Sequence, residues 1–144
     1  MLIEKIDADK RECALLLIEK TFMQYEAPDY SSEGVNSFKK ILDDKGFIDG
    51  LEMLGAYIDS KLVGVIATKN SENHISLFFV DGNYHKQGIG KALFKQMLQS
   101  SAKNIITVNS SPYAVAVYAC LGFVADCEEK LTDGIRYTPM TYIK

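Results

Sequence analysis

The spacing of hydrophobic positions near the N-terminus predicts a short strand followed by two helices. Residues 1–6 form a strand candidate, and from about 9 to 25 the apolar positions recur at helical spacing. Pro28 ends this first helix, because the residue before a proline is disfavoured in the α-helical conformation. The serines at 31–32 can cap a second helix, which Gly46 closes.

The central part of the chain changes to the shorter period of β-strands. Apolar and β-branched residues flank the polar triplet 59–61, which predicts a hairpin, and a second polar turn at 70–73 leads into another strand. The three strands should therefore form an antiparallel meander. Their predicted ranges are 52–58, 62–68 and 75–80.

The C-terminal part alternates helices and strands. A helical pattern covers 89–101, and Ser111 caps another helix with Pro112 in its first position, where the missing N–H of proline costs nothing. Gly122 ends that helix. The remaining strand predictions are 104–108, a run from 123 to about 130, and 135–143 after the turn at 132–134.

This order of elements predicts an α/β protein with a mixed sheet. A strand–helix–strand unit requires a crossover, so the strands at 75–80 and 104–108 should lie parallel within an otherwise mostly antiparallel sheet. About four helices accompany the sheet. The length of 144 residues is most simply one domain, 1–144.

The composition points to an ordinary globular protein without a nucleic-acid or membrane role. Hydrophobic residues make up 47% of the chain, and the net charge of −3 gives no basic surface for nucleic acid. No apolar run approaches the roughly 20 residues of a membrane span. The three cysteines lack metal-ligand spacing and are odd in number, which indicates reduced thiols. We therefore expect a cytoplasmic protein, monomeric or homodimeric, that binds no metal.

A strand that runs into a glycine-containing turn is the most informative feature of the sequence. The strand at 75–80 is followed by turn residues at 81–83, and Gly88 and Gly90 then open the next helix. The first N–H groups of a helix have no partner within it, the helix dipole is positive there, and glycine lets a ligand approach the backbone. This arrangement favours a phosphate site. A glycine-punctuated turn without a ligand is the alternative.

The glycine spacing excludes two common nucleotide-binding motifs. A dinucleotide fingerprint requires glycine at position 93, which is Leu93, and a Walker loop requires glycine at 85 and serine or threonine at 92, which are His85 and Ala92. The segment from Gly88 to Gly90 instead resembles the pyrophosphate loop of the GNAT N-acetyltransferases. That pattern is Gln or Arg, two residues, Gly, any residue, and Gly or Ala, and His85 stands where Gln or Arg is usual.

A second segment, at the right distance behind the first, carries the same resemblance. Asn109 follows the strand at 104–108, and Tyr118 and the pair Gly122-Phe123 come after it, as in the GNAT family. The resemblance extends to the order of elements along nearly the whole chain. It implies the GNAT acyl-CoA N-acyltransferase fold, in which the parallel strands splay apart, and acetyl-CoA as co-substrate with its pantetheine arm in the gap.

The resemblance also implies roles for individual residues. Asn109 would bond the coenzyme arm, and Tyr118 would act beside the coenzyme sulfur as a general acid or thiolate stabiliser. By its helical spacing alone, Tyr118 indicates a core residue instead. The candidate coenzyme-binding residues are Phe78, Phe79, Val80, His85, Lys86, Gln87, Gly88, Ile89, Gly90, Lys91, Ala92, Asn109, Tyr113 and Tyr118.

Acetyl transfer to an amine needs further groups that the sequence specifies only in part. The main-chain N–H groups of Phe79 and Val80 can polarise the thioester carbonyl. Glu26, at the end of the first helix, is the candidate general base. Residues 26–52 hold seven acids against three lysines, which would attract a protonated amine, although a solvated helix face explains the same charges. No motif names the acceptor amine, and a coenzyme-A-binding sensor or interaction module is the alternative function.

Overall fold

One mixed β-sheet carries the fold, and the computed structural model describes residues 1–69 and 71–144. The strands are β1 (Leu2–Lys5), β2 (Glu52–Ile58), β3 (Lys61–Lys69), β4 (His74–Val80), β5 (Ile105–Ser110), β6 (Val124–Ala125), β7 (Lys130–Thr132) and β8 (Ile135–Ile143). They lie in the order β1-β2-β3-β4-β5-β8-β6, and β7 also pairs with β8.

The described residues form five α-helices, of which four have at least seven residues. These are α1 (Arg11–Tyr25), α2 (Ser32–Asp43), α3 (Lys45–Asp49), α4 (Ile89–Ser100) and α5 (Val115–Leu121). Ser31 caps α2 as predicted, because its hydroxyl accepts the N–H of Gly34 at 3.2 Å. Across the described part of the chain, we find no helix long and apolar enough to cross a bilayer.

Two tight turns confirm the predicted hairpins. Asp59 and Ser60, with φ of 50° and 66°, connect β2 to β3, and Asp133 and Gly134, with φ of 52° and 78°, connect β7 to β8. Consecutive positive φ values match the right-handed twist of a two-residue hairpin. Position 70 of the other predicted turn lies outside the described residues.

The predicted parallel pair is confirmed, and it is short. β4 and β5 pair only at His74 with Thr107 and at Ile75 with Val108, and the other pairings among the described strands are antiparallel. Beyond these positions the two strands separate. The mixed sheet with one splayed parallel pair is therefore the predicted fold class.

A β-bulge in β4 lies where this separation begins. Leu77 pairs with Ala67 and Ile75 pairs with Thr68, so Ser76 has no partner on β3. Because a bulge inserts one residue, it changes which face the following side chains occupy. Ile75 accordingly packs with the α4 side of the sheet, whereas Leu77 packs with the α1 side.

Helices cover both faces of the sheet and give two apolar cores. On one face, Phe79 packs in a cluster with Phe22 of α1 and with residues of α2 and α3. On the other face, Leu93 of α4 and Tyr118 of α5 belong to the second cluster. The gap between β4 and β5 thus opens between two packed layers.

Three predicted boundaries are wrong. Gly46 lies inside α3, because the Asp44 carboxylate accepts the N–H of Phe47 at 3.1 Å and starts another helix. Pro112 precedes α5, because Ser111 accepts the N–H of Ala114 in a separate turn before that helix begins. The run predicted over 123–130 divides into β6 and β7.

Candidate functional site

The separation of β4 from β5 opens a cleft of about 500 Å³. Its walls come from the two strands, the end of α1, the helices α2 and α5, and β8. The cleft brings together Glu26, Phe78, Phe79, Asn109 and Tyr118, all of which the sequence singled out. It is therefore the candidate active site.

The start of α4 offers unpaired main-chain donors. Gly88 is the N-cap residue with a φ of 81°, and no side chain in the described part of the protein caps the helix. The N–H of Ala92 donates to the Gly88 carbonyl at 3.0 Å, so the free donors are those of Ile89, Gly90 and Lys91. The N–H of Ala92, which was also a candidate for coenzyme binding, is therefore already hydrogen-bonded within the helix.

The backbone at Gly88 is open to a ligand. A Cβ atom built on Gly88 meets nothing within 4 Å. Lys86, Gln87 and Lys91 beside it are exposed. Free N–H groups, the positive end of the helix dipole and nearby lysines fit a diphosphate.

His85, predicted to contact the coenzyme, is hydrogen-bonded to the last residue of β4. Its Nε2 lies 2.7 Å from the carbonyl oxygen of Val80, and its ring centroid lies 4.8 Å from that of Tyr25. A histidine nitrogen next to a carbonyl oxygen must carry the proton, so Nε2–H donates. His85 therefore connects the end of β4, and the turn that follows it, to the end of α1.

The hydrogen-bond direction along β4 decides which amides face the gap. The N–H of Asp81 donates to Val63 of β3 at 2.8 Å. Because bonding direction alternates along an antiparallel strand, Phe79 also faces β3, whereas Phe78 and Val80 face the side of β5. The amide expected from Phe79 is therefore engaged in the sheet, and the gap-facing donors are those of Phe78 and Val80.

Two predicted residues lie in and after β5, and of these Asn109 lines the cleft whereas Tyr113 does not. Asn109 lies within β5, opposite Pro139 of β8, and is exposed. Tyr113 follows in the turn before α5, is 42% exposed, and lies 5.5 Å from Tyr25 between ring centroids. Both side chains are thus accessible to a ligand that enters between the strands.

Tyr118 lies on α5 and belongs to the apolar cluster on the α4 side of the sheet. Its side chain lines the cleft but is only 5% exposed, and its ring packs edge-on against Phe78 at 5.9 Å. Burial, with the nearby Glu26 carboxylate, raises the pKa of Tyr118 far above its usual value. The phenol therefore stays protonated and can donate a hydrogen bond, whereas its raised pKa disfavours full transfer of the proton.

Glu26 has the titration behaviour of a base at neutral pH. It follows α1 and faces the cleft, where burial raises its pKa from 4.5 to about 7. The Ser111 side chain opposes this rise by hydrogen bonding, and the charge of Asp29 adds to it. Such a carboxylate is ionised near neutral pH yet basic enough to accept a proton.

Several cleft residues were not found from the sequence. Tyr30, Phe38, Phe47 and Tyr137 line the half of the cleft that faces α2 and the β7–β8 hairpin. They come from segments far apart in the chain, and their helical or strand spacing is that of ordinary packing residues. Only the docking of the hairpin against α2 brings Tyr137 to this wall.

The acidic surface predicted over 26–52 is divided. Glu26 and Asp44 line the cleft. Asp49 instead pairs with Arg11 at 3.5 Å, and Glu52 pairs with a lysine of β1 at 3.3 Å. Among the described residues, no group of three His, Cys, Asp or Glu side chains is placed to hold a metal ion.

Comparison with known families gives the decisive observation. The model of the acetyltransferase (GNAT) domain matches residues 26–144, which is most of the chain. The chain belongs to the GNAT acetyltransferase family. Curated protein sequences gave no significant match.

Solved GNAT structures share the fold over nearly the whole chain. A GCN5-related N-acetyltransferase from Rhodopseudomonas palustris is 22% identical, covers 99% of this chain and 95% of its own, and has a TM-score of 0.86. PaiA N-acetyltransferase from Thermoplasma acidophilum, solved with coenzyme A, is 20% identical over 100% of both chains, with a TM-score of 0.73. A ribosomal-protein-alanine N-acetyltransferase from Brucella melitensis is 15% identical over 100% of both chains, with a TM-score of 0.64. Family and fold together support acyl transfer as the general reaction class.

Proposed function

We propose that this GNAT protein is an acetyl-CoA-dependent N-acetyltransferase that acts on a primary amine by direct attack. The observation that carries the proposal is the cleft itself. It begins at the β4 bulge, contains Glu26 and Tyr118, and runs between β4 and β5, with the free amides at the start of α4 following β4.

The residues of the chain divide the work along this cleft. The N–H groups of Ile89 to Lys91 hold the diphosphate of the coenzyme, which supplies the acetyl thioester. The gap-facing N–H groups of Phe78 and Val80 bond the pantetheine arm and the thioester oxygen. Donors of this kind are worth about 3–4 kcal/mol when they meet a developing oxyanion.

The transfer needs one base and one donor. The amine nitrogen forms a bond to the thioester carbonyl carbon and gives up a proton to Glu26, directly or through water. The carbon–sulfur bond breaks, and the sulfur leaves with the electron pair. Tyr118 donates a hydrogen bond to that thiolate, and the proton comes from solvent, because the raised pKa of the phenol disfavours its loss.

The proposal is tested by measuring free thiol while the protein, acetyl-CoA and a panel of primary amines are incubated together. We expect thiol release that depends on the amine. Tyr118→Phe should lower kcat by about 10- to 100-fold, because a hydrogen bond to a charged group is lost, while the affinity for acetyl-CoA stays unchanged.

A matched control is Tyr142→Phe. Tyr142 packs against Phe94 and Phe123 on the α4 side of the sheet, and its hydroxyl has no part in the proposed transfer. Its substitution should leave kcat intact. Coenzyme binding without thiol release for any amine would favour a sensor instead, and normal turnover by Tyr118→Phe would remove this tyrosine from the mechanism.

A further inference from the structure

Aromatic rings dominate the half of the cleft away from the coenzyme. Tyr30, Phe38, Phe47 and Tyr137 all line it. Phe38 is stacked on Phe22 of the core, with ring centroids 3.8 Å apart and planes within 9°. A ring fixed in this way offers a preformed flat surface that needs little ordering when a ligand binds.

Several polar atoms of the same walls are already used within the protein, although the buried Ser76 hydroxyl, which also lines the cleft, has no partner among the described residues. The Tyr30 hydroxyl donates to the Arg136 carbonyl at 3.2 Å, and His74 Nδ1 is 2.7 Å from the Thr107 hydroxyl. The Asp44 carboxylate accepts the N–H of Phe47. A ligand rich in hydroxyl or amide groups would find Ser76 Oγ free but would compete with the existing hydrogen bonds of Tyr30 and Asp44, so only part of its desolvation would be compensated.

Charge in this half of the cleft favours an amine, because three acids, Glu26, Asp44 and Asp133, line it against one lysine, Lys69. Glu26 and Tyr30 line the same cleft, where burial and then the Glu26 charge raise the pKa of the Tyr30 phenol, so an anion lies next to the aromatic residues. Lys69 also lines the cleft and lies 5.9 Å from the centre of the Phe47 ring, where it would repel a second ammonium group. Asp44 and Asp133 are exposed acids, and solvent screens their charges.

The β7–β8 hairpin, which lines this half of the cleft, is docked tightly against α2. Ser37 of α2 donates to the Asp133 carbonyl at 2.7 Å, and the main chains at Gly34 and Gly134 approach so closely that neither position has room for a Cβ atom. Arg136 further ties the hairpin to the Asp29 carbonyl at 3.0 Å. A docked hairpin covers a compact ligand and leaves less room for an extended polypeptide.

We propose that the acceptor is an arylalkylamine, a primary amine on a short alkyl chain attached to an aromatic ring. The ring lies against Phe38 and Tyr137, and the amine points to Glu26. This inference rests on the proposed N-acetyltransferase function and names the substrate class of the same site.

The test compares kcat/KM at saturating acetyl-CoA for 2-phenylethylamine, butylamine, spermidine and a short peptide with a free N-terminus. We expect 2-phenylethylamine to exceed butylamine by at least about tenfold, since a pocket discriminates by that much for even small apolar differences. Spermidine and the peptide should be poorer still. A higher kcat/KM for butylamine, spermidine or the peptide would overturn the acceptor class and leave the proposed function standing.

Variants test whether the preference for 2-phenylethylamine depends on the aromatic residues that line the cleft. Tyr137→Ala should reduce the ratio of kcat/KM between 2-phenylethylamine and butylamine by about tenfold, with the KM for acetyl-CoA unchanged. The control Tyr57→Ala removes a half-buried tyrosine of β2, outside the cleft, and should keep the ratio. An unchanged ratio in Tyr137→Ala would contradict the aromatic wall. No thiol release with any amine would instead refute the N-acetyltransferase function, and the acceptor inference with it.

Discussion

Replacing Glu26 with glutamine should lower activity and raise stability, both in a pH-dependent way. Burial raises the pKa of Glu26 from 4.5 to about 7. If the carboxylate is the base, kcat/KM of the wild-type protein should fall about tenfold per pH unit below pH 7. Glu26→Gln has no group to titrate there, so this acid limb should vanish and the plateau above pH 7 should drop by about 100-fold or more.

The same pKa predicts the opposite effect on folding. Below pH 4.5 the carboxyl is protonated in both the folded and the unfolded state. Between pH 4.5 and about 7 the unfolded chain loses this proton while the folded protein keeps it, so stability falls as pH rises. At about 1.4 kcal/mol per pH unit, the rise in the pKa of Glu26 corresponds to about 3 kcal/mol of lost stability above pH 7.

Glu26→Gln should therefore gain up to about 3 kcal/mol at pH 8 and almost nothing at pH 4. Urea unfolding at the two pH values, together with pH profiles of kcat/KM, measures both effects on the same protein. Glu19→Gln, an exposed acid on α1, is the matched control and should change neither. An acid limb that persists in Glu26→Gln, or no stability gain at pH 8, would refute the reasoning.

Two glycine substitutions test the backbone arguments. Gly88→Glu should fold with a loss of about 1–2 kcal/mol, because its φ of 81° strains any side chain although the space is open, and it should abolish acetyl-CoA binding in calorimetry by placing a carboxylate near the free amides. Gly88→Asn, which tolerates a positive φ, should retain binding, and equal affinities for the two variants would argue against a phosphate site. Gly34→Ala should lower the free energy of unfolding by about 1–3 kcal/mol, because its Cβ meets the main chain at Gly134. Gly50→Ala meets only ordinary contacts, so a similar loss in both variants would contradict the close docking of the hairpin.

Much of the architecture was predictable because it depends on local spacing. The period of apolar residues located the helices and strands, and the positive-φ turns at Asp59 and Asp133 confirmed hairpins that short polar segments had indicated. The crossover rule correctly gave β4 and β5 as a parallel pair. The family resemblance, more than any single pattern, singled out Tyr118, which the structure places at the cleft.

Other features depend on the three-dimensional arrangement and were not accessible from the sequence. The amide of Phe79 had been expected to face the ligand, but this direction follows from the register with β3, which no local pattern reveals. The aromatic lining of the cleft likewise requires Tyr137 and Phe38, which are far apart in the chain, to lie in the same cleft. The pKa of Glu26 depends on how much solvent its neighbours exclude.

The single unpaired residue Ser76 links the opening of the cleft to the composition of both cores. Deleting it would make Ile75 and Leu77 neighbours in a regular strand, which would keep them on the opposite faces that they already occupy but would remove the bulge at which β4 parts from β5. Surface loops can gain or lose residues at little cost, but the loss of this one strand residue would remove the irregularity at which the cleft begins, while Ile75 and Leu77 would stay in the same two cores. The entrance for a ligand therefore depends on one extra residue in β4.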